Sequence, residues 1–95
     1  MTTTPTAAAQ VAVRLHDALQ VVRGLDHFIT SGNRVSVDVG AGDDPVEVQV
    51  HACTPAQMDR AVLQFPNASA SRDADDILKW VECPIGECSL TFYRR

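Results

Sequence analysis

Valine occupies every second position in two stretches, Arg34-Val-Ser-Val-Asp-Val39 and Val46-Glu-Val-Gln-Val50. Strand side chains alternate between faces, so this spacing predicts two strands. Val35, Val37, Val39, Val46, Val48 and Val50 fall on one face, and Ser36, Asp38, Glu47, Gln49 and His51 on the other. The intervening Gly40-Ala-Gly-Asp-Asp-Pro45 is rich in turn formers, so the two strands close as a β-hairpin. A slip of one residue would carry every valine into water, which specifies the register strongly.

Upstream, Val11, Leu15, Ala18, Leu19, Val22, Leu25 and Ile29 recur at three- and four-residue steps. That is the stripe of an amphipathic helix from about Ala7 to Ile29, burying one side. Gly24 interrupts it at a cost of about 1 kcal/mol relative to alanine, and Ser31-Gly-Asn33 supplies residues that tolerate a left-handed stop. Residues 1–6 are a polar, threonine-rich start expected to be flexible.

A second, shorter helix begins at Thr54-Pro-Ala-Gln57, which has the form of a capping box with proline in the first turn. Met58, Ala61, Val62 and Phe65 make its apolar stripe, and Pro66 ends it. The small and polar run 67–76 alternates weakly and is read as a short edge strand or a surface loop. Ile77 to Cys83 and Cys88 to Arg94 read as extended segments joined across Pro84-Ile-Gly-Glu87, a second hairpin in which Cys83 is expected to lie opposite Cys88.

The element order α-β-β-α-(β)-β-β, with helix stripes and a sheet face that each need a partner to leave water, predicts an α+β two-layer sandwich. An antiparallel sheet of four or five strands carries both helices on its valine face, and residues 7–95 form one domain. The chain's 95 residues suffice to bury roughly two-thirds of the surface the unfolded chain exposes. With 45% apolar and 21% charged residues it has the composition of a folded protein.

Charge and cysteine content narrow the function classes. Twelve acidic against eight basic side chains leave a net charge of −4, which argues against a broad footprint for nucleic-acid phosphates. Seven polar residues interrupt the stretch Val11–Ile29, so no bilayer-spanning helix is expected, and the first residues lack the basic start of a signal peptide. Cytoplasmic residence is the expectation. Three cysteines without an export signal favour free thiols over a disulfide between Cys83 and Cys88.

His51, Cys53, Cys83 and Cys88 nevertheless supply the ligand types of a tetrahedral zinc site. Four residues separate Cys83 from Cys88, the outer limit for a metal knuckle, and His51 and Cys53 are expected on the face opposite the valines. The competing reading is that the cysteines are small buried hydrophobes. A zinc-deaminase arrangement is excluded because Cys53 stands where the catalytic glutamate belongs. A cysteine beside His16, His27 or His51 would make a nucleophilic dyad, yet no orienting third group is evident. Asp73-Ala-Asp-Asp76 with Asp43 and Asp44 lacks the alternating ligands of a calcium loop, and Gly40-Ala-Gly42 leads into aspartates that would repel phosphate. No cofactor is expected.

The strand parity sends Trp80 and Tyr93, one diagonal step apart, to the outer sheet face beside Glu82, Thr91, Gln49 and Glu47. Tryptophan and tyrosine are the side chains most enriched at binding hot spots, although a cross-strand aromatic pair also stabilises a sheet by itself.

From Val46 to Tyr93 the alternating valine strand, Thr-Pro-capped helix, small-residue stretch and terminal hairpin ending Leu90-Thr-Phe-Tyr93 resemble small uncharacterised proteins of actinobacteria and their bacteriophages. The resemblance covers half the chain and carries over no functional residue. It implies a mobile-element protein that binds a host protein or assembles with itself. The expected function is therefore a non-catalytic protein-interaction module, with a homodimer as one form. A zinc-binding regulator through His51, Cys53, Cys83 and Cys88 is the first alternative, and a nucleic-acid-binding regulator the second. An acidic surface that mimics nucleic acid is a further variant.

Overall fold

The computed structural model describes residues 6–42, 44–65 and 67–95. Its elements follow the expected order: α1 (Ala7–Gly24), β1 (Arg34–Asp38), β2 (Val46–Cys53), α2 (Pro55–Gln64), β3 (Ser69–Arg72), β4 (Leu78–Ile85) and β5 (Cys88–Arg94). The five strands form one sheet in the order β1-β2-β5-β4-β3, and the architecture is α+β, as the pattern predicts. The expected flexible start at residues 1–5, the turn residue Asp43 and the helix-stopping Pro66 lie outside the described residues.

The β1–β2 hairpin has the predicted register, with Val35 opposite Val50 and Val37 opposite Val48. The sheet is mixed rather than wholly antiparallel, because β2 runs parallel to β5, with Val48 beside Leu90 and Val50 beside Phe92. The cause is the connection. After β2 the chain crosses the sheet through α2 to the far edge at β3, then returns through β4 to β5. Such a crossover is what a parallel neighbour requires. β5 is thereby flanked on both sides, and Leu90, Thr91 and Phe92 at its centre are all buried.

The core lies between the sheet and the helices. Val46, Val48, Val50, Val81, Cys83, Leu90 and Phe92 meet Ala18, Leu25, Met58 and Ala61. Phe92 is clasped by Phe28, with ring centroids 4.8 Å apart, and by Phe65 at 5.7 Å.

Helix α1 starts at Ala7 as the pattern predicts but ends earlier than Ile29. Thr6, placed in the flexible start, is its N-cap, and its hydroxyl accepts from the Ala9 amide at 3.1 Å. The helix stops at Gly24 with Leu25 as C-cap, where Gly24 was read only as an interruption, and Leu25 to Ile29 continue as turns closed by Phe28 and Ile29 amides on the Leu25 carbonyl. The stripe is buried at Ala18 and Leu25, but Val11, Leu15 and Leu19 remain exposed. Helix α2 carries the capping box as read: Thr54 accepts from the Gln57 amide at 3.2 Å and the Gln57 side chain accepts from the Thr54 amide at 2.9 Å.

Gln57 also does something its local pattern does not show. Its side-chain amide donates to the Phe28 carbonyl at 3.0 Å and to Asn33 Oδ1 at 2.8 Å. Asn33 Nδ2 in turn reaches the carbonyls of His51 at 3.1 Å and Ala52 at 3.2 Å. One amide pair, Gln57 buried and Asn33 half-buried, thus ties α2 to the end of the α1 turn and to the last residues of β2.

Candidate outer-face site

That tie sits where β2 is irregular. The β2–β5 register shifts between Val50 and Cys53, and Ala52 has φ 60°, a left-handed conformation strained for a residue with a Cβ. The bulge keeps His51 on the outer face but turns Cys53 inward, where it is fully buried. His51 and Cys53 therefore do not share a face, contrary to the simple alternation.

His51 lies flat against Tyr93, centroids 5.1 Å apart and planes 8° from parallel. Tyr93 is directly opposite Trp80 across β5 and β4, not one diagonal step away. With Arg34 opposite His51 and Ser71 opposite Trp80, one row crosses the whole sheet as Arg34, His51, Tyr93, Trp80 and Ser71. The next row runs Ser36, Gln49, Thr91, Glu82 and Ser69, and a third Asp38, Glu47, Ser89 and Pro84. Every residue predicted for a binding face, Trp80, Tyr93, Glu82, Thr91, Gln49 and Glu47, falls within these rows. Thr91 is the most enclosed, being buried at the centre of the middle row.

A chain of hydrogen bonds orders the polar side chains. Gln49 Nε2 donates to Glu47 Oε2 at 3.4 Å, and Ser36 Oγ donates to Gln49 Oε1 at 3.2 Å. Ser36 Oγ also lies 3.2 Å from His51 Nε2, which joins the ring to this chain. Ser89 Oγ similarly donates to Glu82 Oε1 at 3.3 Å. Sequence reasoning placed His51 on this face but missed its stacking on Tyr93, because that contact is made across parallel strands distant in sequence.

The structure does not assemble the candidate zinc ligands. His51 is outside, while Cys53, Cys83 and Cys88 are free thiols buried in the core, and among the described residues no three His, Cys, Asp or Glu side chains are grouped to hold a metal ion. Nor do Cys83 and Cys88 oppose each other. Cys83 pairs with Leu90 and Cys88 with Ile85, because Gly86, at φ 57°, allows a two-residue turn of Gly86 and Glu87. Strand β4 therefore runs on through Pro84, which is tolerated because β3 pairs no further than Glu82. Burial pushes the thiols of Cys53 and Cys83 up to about 11, opposed at Cys53 by the Tyr93 backbone and reinforced at Cys83 by Glu82. Cys88 is raised by the same desolvation.

The acidic loop closes on itself. Asp73 Oδ1 accepts from the amides of Asp75 at 2.9 Å and Ile77 at 3.0 Å. Those amides, Ile77 first, hold its carboxyl below the usual range. An open groove of about 700 Å³ runs between the first turns of α1 and the two hairpin turns, with Gln10, Val13, Asp17 and Glu87 on its walls. Arg14 spans its floor, donating to the Gly40 carbonyl at 2.8 Å and to the Asp44 carbonyl.

No protein-family model matches this chain, and no curated protein or solved structure shows significant similarity to it. Among the described residues no helix is long and apolar enough to cross a membrane.

Proposed function

We propose that the protein is a non-catalytic interaction module that presents its outer sheet face to a protein partner. The observation that carries this reading is the row of His51, Tyr93 and Trp80, stacked or paired across three strands and half-buried against one another on a face that neither helix covers. A preordered aromatic row costs little side-chain entropy on binding, which is why such residues serve as hot spots. Within the three rows Asp38, Glu47 and Glu82 outnumber Arg34, so the fitting partner surface carries basic side chains around an apolar centre. The thiols, sealed in the core with raised pKa values, offer no thiolate for nucleophilic chemistry, which supports a non-enzymatic role. The resemblance to small proteins of actinobacteria and their bacteriophages adds a host protein as the partner class.

The test is retention of proteins from the source cell on immobilised wild type, on Trp80→Ala/Tyr93→Ala and on Arg34→Asp. A retained protein is then titrated against each, with the emission of Trp80, the only tryptophan, reporting binding to the wild type. Loss of two hot-spot aromatics is expected to weaken binding by about 30-fold or more, while both variants remain folded. Equal retention by the wild type and the aromatic variant would rule out this face.

A further inference from the structure

The outer-face reading leaves two features unused, the apolar flank of α1 and the free edge of β1. Val11, Leu15 and Leu19 follow one another at four-residue steps and are 45%, 38% and 46% exposed. One flank of α1, with Val13, Asp17, Gln20 and Val21, borders the groove between both hairpin turns and the groove toward α2. At about 100° per residue, Leu15 and Leu19 project from the flank away from those grooves. The inner face of β1 is open as well. Val35 and Val37 are only half-buried, while their cross-strand partners Val50 and Val48 are fully buried. Val35 and Val37 thus leave an apolar strip along the free edge of the sheet, a shelf for a partner strand, and α1 carries exposed leucines besides.

We propose that a second copy of this chain occupies the shelf, the two β1 strands pairing antiparallel about a two-fold axis through Ser36. The argument is self-complementarity. The strand reads Arg34-Val-Ser-Val-Asp38, so antiparallel pairing centred on Ser36 sets Arg34 of each copy opposite Asp38 of the other and Val35 opposite Val37. Directly opposed residues share a face. Both ion pairs therefore lie on the outer face, and both valine pairs lie on the inner face. The contact is isologous, as a closed dimer requires. Neither Arg34 nor Asp38 has an ion-pair or side-chain hydrogen-bond partner of its own among the described residues, so both charges are free to meet the other copy.

Charged residues on edge strands usually guard against pairing. A guard of one sign repels its own copy, whereas two opposite charges equidistant from Ser36 attract it. The other edge is built differently: β3 is four residues long and its pairing is broken by a register shift between Ser71 and Arg72, the features that blunt an edge. The dimer needs none of the three aromatic side chains His51, Tyr93 and Trp80, although Arg34 ends their row, so it goes beyond the outer-face reading and is tested by variants that leave those rings in place.

Native mass spectrometry and sedimentation equilibrium test it with full-length chain. The wild type is expected at twice the chain mass. R34D alone places like acidic charges opposite each other twice, and D38R alone does the same with basic charges, so each is expected to dimerise at least about tenfold more weakly. An equimolar mixture of the R34D and D38R chains is expected to form a dimer holding one of each, and the R34D/D38R double variant to dimerise like the wild type. A wild type that stays monomeric at millimolar concentration overturns the proposal. So do R34D and D38R chains as dimeric as the wild type, or an absence of mixed dimer.

Discussion

Replacing Gln57 by leucine removes the α2 half of the amide pair that joins α2, the turn after α1 and the bulged end of β2. Leucine keeps the volume and the helix propensity, so the change isolates the polar contacts. Asn33 retains its bonds to Thr30 and to the His51 and Ala52 carbonyls, but the Phe28 carbonyl and the Thr54 amide lose the partners they had at 3.0 and 2.9 Å. A buried group left without a partner costs about 1–3 kcal/mol. The buried Phe28 carbonyl and the half-buried Thr54 amide, less a small gain from a more apolar side chain, give a loss of about 2–3 kcal/mol. Against the roughly 5–15 kcal/mol that holds a domain of this size together, that is a fall in Tm of about 10–25 °C. Urea unfolding followed by far-ultraviolet circular dichroism measures it. A cycle adding Asn33→Ala should show coupling of at least about 0.5 kcal/mol, since the two amides bond each other directly. Stability within about 0.5 kcal/mol of wild type, or strictly additive effects, would refute the role assigned to this pair.

Two further outcomes follow from the core and the bulge. The folded-state pKa values of Cys53 and Cys83 lie near 11, above the 9.0 of an exposed thiol, so the unfolded chain loses these protons first as pH rises. Their contribution is complete below pH 9 and is lost between about 9 and 11, at about 1 kcal/mol per thiol by pH 10. Denaturation midpoints at pH 8 and 10 should fall accordingly, and less steeply in Cys83→Ala; iodoacetamide should modify the native thiols at neutral pH only as fast as the chain unfolds. Ala52→Gly should stabilise the protein by a few tenths to about 1 kcal/mol in thermal unfolding, because glycine adopts the φ of 60° without the Cβ clash.

What could be read from the sequence was local. The capping box at Thr54–Gln57 and the valine alternation of β1 and β2 depend on neighbours a few residues apart, and both stand in the structure as read. The parallel pairing of β2 with β5 could not be read, because alternation fixes which face a side chain takes and says nothing of which strand lies alongside. The misplacement of Cys53 and the mispairing of Cys83 with Cys88 have different causes. The bulge at Ala52 breaks the alternation that would send Cys53 outward, whereas Cys83 and Cys88 share the inner face as parity requires and miss each other only because the turn holds two residues, Gly86 and Glu87. The aromatic row was half legible: parity sent Trp80, Tyr93 and His51 outward, but their common row required the strand order. The charge symmetry of Arg34-Val-Ser-Val-Asp38 stands in the sequence, yet has meaning only because β1 is an edge.

The central claim is that the outer face meets a protein partner. A photoreactive phenylalanine analogue at Ser69, in the middle row of that face, and in a second chain at Leu63, 84% exposed on α2 across the sheet, tests it inside the source cells. The account predicts a cross-linked protein from position 69 that disappears with Trp80→Ala/Tyr93→Ala, and none from position 63. A cross-link from 63 alone, or one from 69 that survives loss of both aromatics, would contradict it.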